Sequence, residues 1–126
     1  MPNLKISASI EDYLETIYEH LESAHKIKAV DIAKKLNVSR ASVTEALQKL
    51  AHKEYIIYEK KHPIELTEKG IEIAKNVIHK HRILCDFFVK ILKIEKEEAE
   101  INACRIEHVI TQTAFEKIAE MIKNQK

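Results

Sequence analysis

The chain reads as a mostly α protein with a small β-hairpin, a winged helix-turn-helix at the N-terminal end followed by a helical domain. Three observations predict this. Apolar residues recur at helical spacing through most of the 126 residues. A short helix, a tight turn and a longer helix precede two β-forming runs with a charged tip, the order of a winged helix-turn-helix. A single Gly (Gly70) and two Pro leave little material for a turn-rich all-β fold, and they exclude the glycine loops that cradle nucleotide phosphates.

The elements follow in order. Ile10, Tyr13, Leu14, Ile17, Tyr18 and Leu21 form one apolar stripe, with Ser9 and Asp12 as an N-capping pair. "AVDIAKKL" is a short second helix closed by Asn37, a residue that tolerates the left-handed conformation of a helix end. Ser39 caps a third helix, "RASVTEALQKLAHKE", with Val43, Leu47 and Leu50 inward. "YIIYEKKHPIELT" is a hairpin around a Lys60-Lys61-His62-Pro63 tip. Thr67 starts a long helix that carries Ile71, Ala74, Val77, Ile78, Leu84, Phe87, Phe88 and Ile91. Glu95 to about Ile110 forms another, and Ala114 to about Lys123 the last.

Composition bounds the function classes. No apolar run approaches membrane-spanning length and the N-terminus has no signal-peptide core, so the expected location is the cytoplasm, with both cysteines reduced. Charge is segregated despite a net +1: residues 26–61 carry nine Lys/Arg against four acids, while residues 95–120 carry seven acids against three bases. Such a division suits one polyanion-facing surface and one cation-attracting surface.

The third helix begins with small polar side chains, Ser39, Arg40, Ala41, Ser42 and Thr44, so its first turn can enter a major groove without obstruction. Arg40 can offer a bidentate donor pair to guanine, and Ser42 and Thr44 reach bases or phosphates at short range. Lys49, Lys53, Lys60 and Lys61 would position the DNA backbone. The expected partner is double-stranded DNA, with no membrane.

A second constellation lies in "ACRIEHVI". Cys104, Glu107 and His108, at i, i+3 and i+4, project within roughly 100° of helical arc. A thiolate, a carboxylate and an imidazole suit Fe²⁺, Co²⁺, Ni²⁺ or Zn²⁺, and Mn²⁺ less well. Asp12 and Glu15 on the first helix, and His81 on the long helix, are candidates to complete the shell. Singly, each has an ordinary explanation: first-turn acids favoured by the helix dipole, a core histidine, a buried thiol. Six such residues on three helices favour a metal site.

The segments "SIEDYLETIYE", "VDIAKKLNVSRASVTEALQKLA", "YIIYEK", "LTEKG", "KHRILCDFF" and "ACRIEHVI" occur in this order across nearly the whole chain. Together they resemble the diphtheria toxin repressor/manganese transport regulator (DtxR/MntR) family of metal-dependent transcriptional regulators. The resemblance implies a winged helix over residues 1–67 and a helical metal-binding and dimerisation domain over 68–126. It implies a homodimeric repressor, not an enzyme, which Fe²⁺ or Mn²⁺ activates to bind a palindromic operator controlling metal-uptake genes. Carried over, the primary ligands are Asp12, Cys104, Glu107 and His108, while Glu15 and His81 match positions that hold a second metal in the manganese branch.

The chain is a hybrid of the two branches. The manganese branch has a carboxylate where Cys104 stands. The iron branch has the Cys, but a thioether at Asp12, no acid at Glu15, an acid at Cys85 and a histidine at Glu100. Its third, SH3-like domain is expected to be absent here. Cys104 tips the expectation toward iron on softness grounds. Without metal, the acidic cluster is expected to repel itself and favour opening. Two other readings compete: a metal-independent winged-helix regulator responding to a small organic ligand, and a helical metalloenzyme. The enzyme reading lacks a separate general base and leaves the basic helix-turn-helix unexplained.

Overall fold

A stripe of apolar residues on a helix is stable only when something covers it, and here the first stripe finds its cover within 40 residues. The computed structural model describes residues 10–24, 26–59 and 61–125. It divides into two compact units, one running to Lys75 and the other beginning at Asn76.

In the first unit, α1 (Ile10–Ser23), α2 (Ala29–Leu36) and α3 (Arg40–His52) precede the antiparallel pair β1 (Ile56–Ile57) and β2 (Glu65–Leu66). Tyr13, Leu14 and Ile17 of α1 bury against Ile32 of α2 and Val43, Leu47 and Leu50 of α3. Ile27, Ile56, Ile64 and Ala74 close the same core. Burying each large aliphatic side chain stabilises by about 1.5–3 kcal/mol.

Local chemistry sets the element ends. The backbone N–H of Lys28 donates to the Asp31 carboxylate at 2.8 Å, starting α2. Asn37 ends it at φ 56°, in the left-handed conformation, as expected from its short polar side chain. Ser39 caps α3 by accepting the Ser42 N–H at 3.0 Å. The Ser9 cap expected for α1, and Lys60 at the hairpin tip, lie outside the described residues.

Two expected boundaries shift. α3 stops at His52 because Glu54 turns to φ 68°, carrying the chain into β1. The hairpin contains only two paired positions, Ile56 with Leu66 and Ile57 with Glu65, so the long tip carries most of the wing.

The passage from β2 into the long α4 (Glu68–Asp86) is tightly built. Thr67 donates its hydroxyl to the Glu54 carbonyl at 2.6 Å and accepts the Gly70 N–H at 3.2 Å. The Thr67 N–H donates to the Tyr55 carbonyl at 3.0 Å. That same carbonyl oxygen occupies the space a Cβ on Gly70 would need, which explains why the chain's one glycine sits there.

In the second unit, the expected long helix gives way after Asp86 to a π-helical turn, Phe87–Ile91, in which the Leu92 N–H reaches back to the Phe87 carbonyl. Phe87 and Phe88 therefore leave the α-helical register predicted for them. α5 spans Lys96–Ile106, four residues short of expectation, and α6 spans Gln112–Asn124, capped by Thr111. Leu84, Cys85, Ala99, Ala103 and Phe115 form the core here. Ala99 and Ala103 of α5 share this core with Leu84 and Cys85 of α4.

Candidate metal centre

α4 presents His81 and Cys85 one turn apart, and α5 presents Glu100 and, two turns on, Glu107. Glu107 is the C-cap of α5. Its φ and ψ of −60° and −27° keep it helical, and its N–H donates to the Ala103 carbonyl. The expected i, i+3, i+4 relation of Cys104, Glu107 and His108 thus survives for Glu107 although the helix ends at Ile106.

His81 is held at both ring nitrogens. Nδ1 lies 2.7 Å from Glu107 Oε1, and Nε2 lies 2.7 Å from Glu100 Oε1. The Cys85 thiol donates to the other Glu100 oxygen at 3.6 Å. Glu107 is 1% exposed, and its Oε2 is buried without a hydrogen-bond partner. His108 Nε2 lies 3.2 Å from that oxygen, near enough for strong charge attraction though not in hydrogen-bonding alignment.

Protonation follows from these neighbours. The hydrogen bond to Glu107 raises the His81 pKa from 6.5 to about 9; burial opposes the shift and Glu100 adds to it. Burial by itself would raise Glu107, but the close approach of His108 and the hydrogen bond and charge of His81 outweigh it and hold the carboxyl below its usual range. The hydrogen bond from His81 likewise lowers Glu100. Burial first, and then the Glu100 charge, push the Cys85 thiol up. A cationic imidazole thus stands between the Glu100 and Glu107 carboxylates.

A buried carboxylate with one oxygen unsatisfied, flanked by two imidazoles, is a donor set that fits a divalent transition metal. Loading such a site would satisfy the orphaned oxygen and replace a proton on the ring. Cys104 is an exposed thiol on α5, one turn before Glu107. Asp12 and Glu15 lie on α1 in the first unit, one turn apart and half-buried beside Tyr13, Leu14 and Ile17. Sequence reasoning named Cys85 and Glu100 only as departures from the iron branch and did not pair them with His81. The signal was present in the one-turn spacing of His81 and Cys85 and in the two-turn spacing of Glu100 and Glu107.

The candidate DNA surface lies in the first unit. Ser39, Arg40, Ala41, Ser42, Thr44 and Lys49 are all exposed on α3 or at its cap. The Ser39 and Ser42 hydroxyls lie 3.0 Å apart, so both are engaged in capping as well as facing outward. Lys61 is exposed in the wing at φ 63°.

Two family models cover the chain almost from end to end. Residues 5–64 match the iron-dependent repressor N-terminal DNA-binding domain, and residues 67–126 match the iron-dependent repressor metal-binding and dimerisation domain. Among curated proteins, a helix-turn-helix transcriptional regulator of Methanocaldococcus jannaschii is 40% identical over 114 residues, 90% of this chain and 91% of that one. The regulator MntR of Bacillus subtilis is 35% identical over 115 residues, 91% of this chain and 80% of its own.

The chain belongs to the DtxR/MntR family. As a member, it is a metal-dependent transcriptional regulator, and the reading as a metal-independent sensor of an organic ligand is not favoured. Solved DtxR/MntR-family structures agree in fold. The manganese regulator SloR superposes with a TM-score of 0.84 at 30% identity over 96% of this chain, and ScaR with bound Zn²⁺ with 0.79 at 32% over 94%. The chain spans 56% of the length of each of those two chains. Among the described residues no helix is long and apolar enough to cross a membrane.

Proposed function

We propose that this DtxR/MntR-family chain is a homodimeric repressor whose operator affinity is switched on by Fe²⁺ or Mn²⁺. The observation that carries this reading is the buried Glu107 carboxylate, its Oε2 unsatisfied, between His81 and His108. His81, Glu107 and His108 are its ligands in the second unit. Asp12, Glu15 and Cys104 complete the set, as the family resemblance implies. A cation bound there would supply positive charge beside the Glu107 carboxylate.

The chain's own residues do the rest. His81 would have to give up a ring proton to hold the ion, and Glu107 keeps its carboxylate charged at neutral pH. Arg40, Ser42 and Thr44 read the major groove from α3, while Lys49, Lys60 and Lys61 position the backbone. Moving an inactive population to a mostly active one takes a preference of about 5.5 kcal/mol for the active state, within reach of several metal–ligand bonds. Carboxylate and imidazole donors suit Mn²⁺ and the Cys104 thiol favours Fe²⁺. The dimer would act in the cytoplasm on a palindromic operator controlling metal-uptake genes, and it would not be an enzyme.

A metal-series titration of operator affinity tests this. Gel-shift binding should require Fe²⁺ or Mn²⁺ and vanish with a chelator. Chelator-insensitive binding would overturn the switch.

A further inference from the structure

The face with which a helix can read DNA is the one its buried residues leave free. On α3 the core takes Val43, Leu47 and Leu50. A helix advances about 100° per residue, so those three define one pole, and Glu45 stands within about 20° of the opposite one. Ala41, one turn before it, and Gln48, one turn after, lie within about 50° of that outer pole. All three are exposed. His52, also near the outer pole, is the last residue of the helix. Ala41 is too short to reach a base edge, so Glu45 and Gln48 are the polar groups at the centre of this face. Neither takes part in a hydrogen bond or ion pair among the described residues, although Lys49 follows Glu45 at i+4, where a Glu–Lys pair forms readily. Glu45 is the single acid of α3, in a stretch, residues 26–61, where bases outnumber acids nine to four. Asp31, another of those acids, is engaged by the Lys28 N–H. A carboxylate facing a polyanion weakens the backbone contacts around it, so its place there points to a partner group that donates a hydrogen bond.

We propose that Glu45 and Gln48 set the base preference of α3: Glu45 accepts from the N4 amino group of a cytosine, and Gln48 pairs with the N6–N7 edge of an adenine on a neighbouring base pair. The inference rests on the proposed entry of α3 into the major groove. An ionised carboxylate only accepts hydrogen bonds. Cytosine is the base whose major-groove edge offers a donor without an adjoining acceptor; guanine and thymine present acceptors, and adenine sets its N7 acceptor beside the amino group. Glu45 therefore selects cytosine by attraction and rejects the other bases by repulsion. The Gln48 amide carries a donor and an acceptor, the pair that adenine N7 and N6 complement. The two residues are one turn apart on α3. That is about 4.5 Å along the helix axis, close to the roughly 3.4 Å between stacked base pairs. Away from its operator Glu45 meets phosphates without a donor, so it also lowers affinity for unrelated DNA and widens the gap between specific and non-specific binding.

The test is selection of duplexes from a random-sequence DNA library by the Mn²⁺-loaded protein, repeated with variants. The wild type should enrich a half-site with cytosine and adenine at neighbouring base pairs, each preferred about 5- to 150-fold over the other bases. Glu45→Gln should convert the cytosine preference into one for adenine and leave the neighbouring position unchanged. Gln48→Glu should convert the adenine preference into one for cytosine. Glu45→Ala should lose selectivity at that one position and bind an unrelated duplex more tightly than the wild type. Unchanged base preferences in Glu45→Ala and Gln48→Ala, with Arg40→Ala or Ser42→Ala altering the selected sequence, would overturn the inference while leaving α3 in the groove. If none of these α3 substitutions altered the selected sequence, the reading of α3 would fall, and this inference with it. A thermal-unfolding midpoint equal to that of the wild type assigns each change to the reading of DNA and not to folding.

Discussion

Raising the pH should tighten metal binding steeply, because the metal-free His81 is a cation that must lose a proton before Nδ1 can act as a ligand. The structure places that pKa at about 9, through the hydrogen bond to Glu107 and the further bond to Glu100. At pH 7 the ring lies about two pH units below its pKa, so freeing Nδ1 costs about 3 kcal/mol, or close to 100-fold in apparent affinity. As long as the pH stays below about 9, each unit gained should return about tenfold from this one proton. Between pH 6 and pH 8 the His81 contribution amounts to about 100-fold.

The assay is competition for Co²⁺ or Mn²⁺ against a chelator of known proton dependence, run in parallel on wild type and His81→Gln. Other ligands add their own protons, so the decisive quantity is the difference in slope. His81→Gln should bind more weakly, with a pH dependence shallower by about one proton per metal. Identical slopes in the two proteins would show that His81 is not the group whose proton is displaced.

Three other outcomes are expected. In chelator, the His81 pairs should stabilise fully below pH 6.5 and progressively less as pH rises through about 9, since the folded pKa is raised. Glu107, lowered from 4.5, should contribute above that value and lose its contribution on acidification. Urea midpoints of metal-free wild type should therefore fall from pH 6.5 to 9 more than those of His81→Gln, and equal declines would count against the pairing. Gly70→Ala should destabilise by about 1–3 kcal/mol by chemical denaturation, because the added methyl meets the Tyr55 carbonyl that also receives the Thr67 N–H. Arg40→Ala should cost about 1–3 kcal/mol on the operator and much less on random DNA if Arg40 reads a base; equal losses would make it a phosphate contact.

Features governed by neighbouring residues were legible from the chain alone. Ser39 caps α3 and Asn37 ends α2 because each acts on backbone groups within a few positions, so its chemistry is local. The stripe of Tyr13, Leu14 and Ile17 is buried as its spacing required. The quoted motifs sufficed for the family. Helix periodicity states which face is covered, however, and leaves open which residue covers it.

The tertiary structure supplied the pairings. His81 meets Glu100 and Glu107, which follow it by 19 and 26 residues, where Ala99 and Ala103 of α5 share a core with Leu84 and Cys85 of α4. The clash that reserves Gly70 for glycine likewise comes from a residue distant in the chain, Tyr55. Charge counted along the chain cannot register a histidine that arrives from another helix, and an imidazolium 2.7 Å from each of Glu100 and Glu107 makes their local interaction attractive.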